Sequence, residues 1–209
     1  MRRMLSCVLM MTLLLAGCGR GGKDDPRQLA SQIRGEYLNL SSWSAEICLT
    51  ADYGQRVFDF TVDALWEKDG ETVLTITAPE LLKGITARLK DGEALLEYDG
   101  AGLSIGELDG DGLNPVSAVP ALMEQITRGY MAQCSWEGED ASRLLRVQCR
   151  HPDMGEQEGT EYTLWFHPDT HGLLRAEVSV GGALRLTAVF NDFTMEMTDD
   201  DTGNHADLG

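Results

Sequence analysis

From Ser44 onward the apolar residues recur at every second position, and the alternation holds, with interruptions, as far as Phe190. A period of two marks strands with one buried and one wet face, so a chain that sustains it this long must build an antiparallel sheet. Phe58, Phe60, Val62, Ala64 and Trp66 share one face, with Asp59, Thr61 and Asp63 on the other. Leu74 and Ile76 continue the apolar face. Ile85, Ala87 and Leu89 follow opposite Thr86, Arg88 and Lys90, then Ala94, Leu96 and Tyr98 opposite Glu93 and Glu97. Asp69-Gly70, Asp91-Gly92 and Asp99-Gly100 supply the turns. A second series runs through Tyr130, Ala132, Cys134 and Trp136, then Leu145, Val147 and Cys149, then Tyr162, Leu164 and Phe166. It ends with Leu174, Ala176, Val178 and Val180 joined by Gly181-Gly182 to Leu184, Leu186, Ala188 and Phe190.

Two stretches carry the helical period instead. Asp25 is an N-cap with Pro26 at the first helical position, and Leu29, Ile33, Tyr37 and Leu40 form one stripe. Asn114-Pro115 starts the second, whose stripe is Val119, Leu122, Met123, Ile126 and Tyr130, with Pro120 delaying the helix proper. The expected class is α+β: a strongly curved antiparallel sheet of about ten or eleven strands, an incomplete β-barrel, covered by two amphipathic helices. Residues 26–197 form that domain, with no internal repeat or second boundary.

Arg2 and Arg3 precede an apolar stretch, Met4 to Ala16, too short to span a bilayer and built like a secretory signal. It ends in Leu15-Ala16-Gly17-Cys18, which resembles the lipobox of bacterial lipoproteins. In that motif residues 1–17 are removed and Cys18 becomes the acylated N-terminus. Residues 18–25 are then a lipidated, Gly-rich tether, and residues 198–209, with Asp199, Asp200 and Asp201, an acidic disordered tail. The chain has 17 Lys+Arg against 34 Asp+Glu, a formal charge of -17, which excludes nucleic acid as a partner. The leader removes only basic charge, so the anchor must hold by lipid against anionic headgroups.

The lipobox, the short N-terminal helix and the strands leading through Thr77-Ala78-Pro79 to Leu89-Lys90-Asp91-Gly92 and Leu96-Glu97-Tyr98-Asp99-Gly100 resemble the LolA/LolB-like outer-membrane lipoprotein carrier superfamily. The resemblance spans about Asp25 to Met197. It implies an open half-barrel whose concave apolar side, lidded by helices, accepts acyl chains. An anchored chain is nearest in kind to LolB-like receptors, or to the LolA-like lipoproteins of Gram-positive spore formers, germination proteins that work with a cell-wall amidase. The family's acyl-contacting Arg has no clear counterpart: Arg56 and Arg88 both fall on or near the polar face. Localisation follows from the anchor: the extracytoplasmic face of the cell membrane, or the outer membrane where one exists, because Gly19 replaces the Asp that retains lipoproteins on the inner membrane.

No catalytic site emerges. His167-Pro168-Asp169-Thr170-His171-Gly172 reads as a solvated turn rather than a metal site. Asp109-Gly110-Asp111-Gly112-Leu113-Asn114 begins like a calcium loop, but Leu113 and Pro120 occupy ligand positions. Nucleophile elbow, Walker loop and HExxH are all missing, so the chain reads as non-enzymatic, without cofactor or metal. Cys134 and Cys149 share the apolar phase, and a hairpin pairing Trp136 with Val147 sets them opposite each other, as a disulfide or as two buried thiols. Cys48, out of phase with Ile47 and Leu49, is expected to be free.

Two functions follow. One is a hydrophobe-binding module in which Phe58, Phe60, Trp66, Leu74 and Ile76 line a concave pocket for an acyl chain or lipoprotein in cell-envelope biogenesis; the same stripe equally suits a filled core. The other is an anchored scaffold for a cell-wall hydrolase, as in spore cortex modification and germination.

Overall fold

A computed structural model describes residues 25–107 and 114–198. The leader, Cys18 and most of the tether and tail lie outside these residues, as do positions 109–113 of the calcium-like loop.

The chain opens with helix α1 (Pro26–Leu38), capped by the Asp25 carboxylate, which accepts from the Arg27 N–H at 2.9 Å. Strands β1 (Leu40–Asp52), β2 (Val57–Glu67), β3 (Thr72–Ala78), β4 (Thr86–Lys90), β5 (Glu93–Tyr98) and β6 (Ala101–Glu107) follow. Helix α2 (Pro115–Arg128) then leads to β7 (Met131–Glu137), β8 (Leu144–Arg150), β9 (Thr160–Phe166), β10 (Leu173–Val180) and β11 (Ala183–Met197). All eleven strands join one antiparallel sheet in the order β6-β5-β4-β3-β2-β1-β11-β10-β9-β8-β7. The sheet is curved and open: β6 and β7 are its two edges and do not pair.

This order explains the place of α2. The first and last strands pair at the centre, and each half of the chain meanders outward to an edge. The segment joining β6 to β7 must therefore return across the whole sheet. It crosses on the concave side, where Ala118, Val119, Leu122 and Ile126 bury an apolar stripe with Ile33 and Tyr37 of α1 and Ile47, Leu49, Leu164 and Leu186 of the sheet.

The helix starts at Pro115 and runs through Pro120, rather than beginning there. Asn114 makes this possible: its side-chain oxygen accepts from the N–H groups of Val116 and Ser117 at 3.0 and 2.8 Å. A helical Pro costs about 3 kcal/mol; burial of Ala118 and Val119 on one side and Ala121 and Leu122 on the other offsets it.

Turn chemistry behaves as the sequence suggests. Lys90↔Glu93, Tyr98↔Ala101 and Val180↔Ala183 close two-residue hairpins around Asp91-Gly92, Asp99-Gly100 and Gly181-Gly182, all at positive φ. Several strand pairings carry bulges. Irregularities between Met131 and Gln133, and between Leu173 and Arg175, shift the phase, so Met131 packs on the core while Tyr130 is exposed, and Leu173 is fully buried in place of Leu174.

Candidate functional site

The concave face is filled over much of its area and hollow at one end. Leu74, Ala87, Val62 and Ala64 are buried. Toward the start of β1, a cavity of about 570 Å³ opens between the sheet and α2. Tyr37 of α1, Leu40 and Trp43 of β1, Trp66 of β2, Thr72 of β3 and Gly92 of the β4–β5 hairpin form one wall. Pro120, Met123, Glu124, Thr127 and Arg128 of α2 form the other, at spacings that set them on the helix face flanking its core stripe. A smaller groove of about 250 Å³ shares Trp66, Thr72, Gly92 and Pro120 and extends the hollow to Leu89 and Lys90.

The aromatic wall is stiffly held. Phe193 stacks on both Tyr37 and Trp43 with ring centres 6.1 Å apart, and Tyr37 meets Phe166 edge-on at 5.9 Å. The Tyr37 hydroxyl donates to the His171 carbonyl and accepts from the Leu173 N–H, both at 3.1 Å. Burial pushes this phenol well above its ordinary pKa, so it stays neutral. His171 also bonds the Glu36 carboxylate through Nδ1 at 2.6 Å. The His167–Gly172 turn is thus a strut between α1 and the sheet and not merely solvated.

Arg34 fixes the lid. Its Nε donates to the Ile126 carbonyl at 2.8 Å and its Nη2 to the Gly129 carbonyl at 2.6 Å, satisfying orphan carbonyls at the end of α2.

Of the expected pocket residues, Trp66 lines the cavity and Leu74 lies in the filled core beside it. Phe58 and Phe60 stack on each other at 6.4 Å farther along β2, Phe58 being 41% exposed, and Ile76 packs at the margin of the core. Arg88 does lie on the polar face, bridged between Glu71 and Glu97.

The cysteine hairpin has a different register from the one the disulfide required. Trp136 pairs with Leu145 and Cys134 with Val147, while Cys149 faces Met131, so the two sulfurs are diagonal rather than opposite. Both are free thiols, as is the exposed Cys48. Burial pushes Cys149 up to about 11 and raises Cys134 as well. Among the described residues no group of three His, Cys, Asp or Glu side chains could hold a metal ion, and no helix is long and apolar enough to cross a membrane.

No family model matches the chain, and no curated protein matches it. Solved structures do. Among those similar to it is a LolA-superfamily protein from Nitrosomonas europaea, at 12% identity and a TM-score of 0.39, covering 84% of this chain and 95% of that one. A putative outer membrane lipoprotein-sorting protein domain from Vibrio parahaemolyticus has 10% identity and a TM-score of 0.48, over 81% and 91% of the two chains. The structure of the CwlD amidase in complex with the GerS lipoprotein from Clostridioides difficile contains a match at 12% identity and a TM-score of 0.46, over 85% of this chain and 100% of that one.

Proposed function

We propose that the protein is a membrane-anchored lipoprotein whose half-barrel binds the acyl chain of a lipid or lipoprotein in the cell envelope, a binding protein rather than an enzyme. The observation that carries this reading is the hollow left under α2. Folded chains pack to crystal-like density, so an open hollow of about 570 Å³ bounded by Tyr37, Leu40, Trp43, Trp66 and Met123 offers apolar surface for a ligand to cover. Its volume falls within the roughly 300–1,000 Å³ typical of small-molecule sites. Thr72, Thr127, Glu124 and Arg128 supply the few polar groups, which suits a long apolar chain with one polar end.

Cys18, reading as the acylated residue of a lipobox, supplies the anchor, with residues 1–17 as its leader and 18–25 as tether. Trp43 and Trp66 are built-in reporters for the cavity. A fatty acid brominated along its chain is expected to quench their fluorescence saturably, and Met123→Trp, which fills the hollow, to weaken that binding on the order of tenfold. Unquenched tryptophans, or equal binding by Met123→Trp, overturn the acyl-chain reading and leave the scaffold for a cell-wall enzyme.

A further inference from the structure

Among the described residues, the two edges of the sheet are covered unequally. At β7, α1 packs alongside, Arg27 donates to the Ala132 carbonyl at 3.5 Å, and a bulge sits between Met131 and Gln133. At β6, no strand pairs with the outer side among the described residues. Exposed edges are usually blunted by lysine, proline or an inward charge, because their unpaired backbone groups template another strand. Ala101 to Gly106, Ala-Gly-Leu-Ser-Ile-Gly, has none of these. Its bulge falls beyond Ser104, so the stretch from Ala101 to Ser104 is regular.

The turn fixes which backbone groups face outward. In a two-residue hairpin the flanking pair exchanges hydrogen bonds, and bonded and non-bonded pairs then alternate. Tyr98↔Ala101 and Leu96↔Leu103 are therefore the bonded pairs, and Glu97↔Gly102 and Leu95↔Ser104 the non-bonded ones. The N–H and C=O groups of Gly102 and Ser104 accordingly point away from β5. Beside them Leu103 is 64% and Ile105 41% exposed, an apolar surface at the edge itself.

We propose that the β6 edge is a docking site for an extended segment of a partner protein, which adds as a further strand. Charge selects the partner's chemistry. The uncharged edge is flanked by Asp99 in the turn and by Glu93 and Glu107 at the other end, on a chain of net charge -17. A segment with small or apolar residues at its centre and basic residues at its ends complements this arrangement. A second copy does not: antiparallel pairing of two β6 strands about Ser104 brings Asp99 of each copy to the acidic end of the other, with strands only about 4.8 Å apart. The site is separate from the cavity, which β6 does not line.

The test uses the mature domain and a fluorescent peptide of alternating valine and threonine with lysines at both ends. Binding is expected to protect the Gly102 and Ser104 amides from exchange. Ser104→Pro, which removes an outward N–H where an edge strand tolerates proline, should weaken binding on the order of tenfold and leave brominated fatty acid quenching unchanged. Ile105→Lys, which leaves the backbone intact, should do the same if the proline variant does not fold. Glutamates in place of the peptide's lysines should weaken binding by a similar factor. Undiminished binding by both variants, unprotected amides, or a concentration-dependent dimer that Ser104→Pro abolishes would each overturn the proposal.

Discussion

Tyr37 shows how much one residue joins in this molecule. It belongs to the buried stripe of α1, lines the cavity, stacks on Phe193 and ties down the strand that begins at Leu173. Tyr37→Phe keeps the ring but leaves the buried Leu173 N–H without an acceptor, so it should cost about 1–3 kcal/mol, read from urea unfolding. Cys149 gives a pH dependence of definite sign. An unfolded thiol ionises near 9.0, whereas the buried one holds its proton to about 11, so the folded state binds more protons between those values and stability falls as pH rises through that window. Cys149→Val should flatten the fall below pH 10, above which Tyr37 adds a decline of the same sign. The phase of Cys149 was legible from Leu145 and Val147; its partner was not, because the register is set at the turn, where Glu137 pairs with Leu144, and the residue pattern does not fix where that turn closes.

Among the elements, the strands could be read closely and the lid only in part. Alternation placed Val62, Ala64, Leu74, Ala87 and Ala94 on the buried face because each strand exposes its other face to water. It failed at Leu174 and Tyr130, where one extra residue reverses the phase. Helix α2 has two apolar jobs: Val119, Leu122 and Ile126 meet the core, while Pro120, Met123 and Thr127 face the hollow. A single stripe merges these faces, and only the topology separates them. Arg34 holds the helix at its far end, with charge-assisted bonds worth about 1.5–3 kcal/mol each in comparable settings. Arg34→Ala should therefore speed amide exchange in residues 122–128 while the central β1 and β11 stay protected, with unchanged exchange in α2 counting against its role as a fastener.

At the scale of the whole molecule, the half-barrel was legible from the count of strands and turns, but the cavity was not. Its walls come from five strand or helix segments between Tyr37 and Arg128, each of which looks locally like ordinary core. What the leader adds is testable by itself: Cys18→Ala should release the protein from membranes or leave it as an uncleaved precursor, and a mature-size band still in the membrane fraction would contradict the lipobox. The direction of α1 then has a mechanical meaning. The helix starts after Asp25, while Tyr37, at the cavity wall, lies near its other end, and 13 helical residues measure about 20 Å. On the anchoring proposed above, the hollow therefore lies toward the end of α1 opposite the point of attachment.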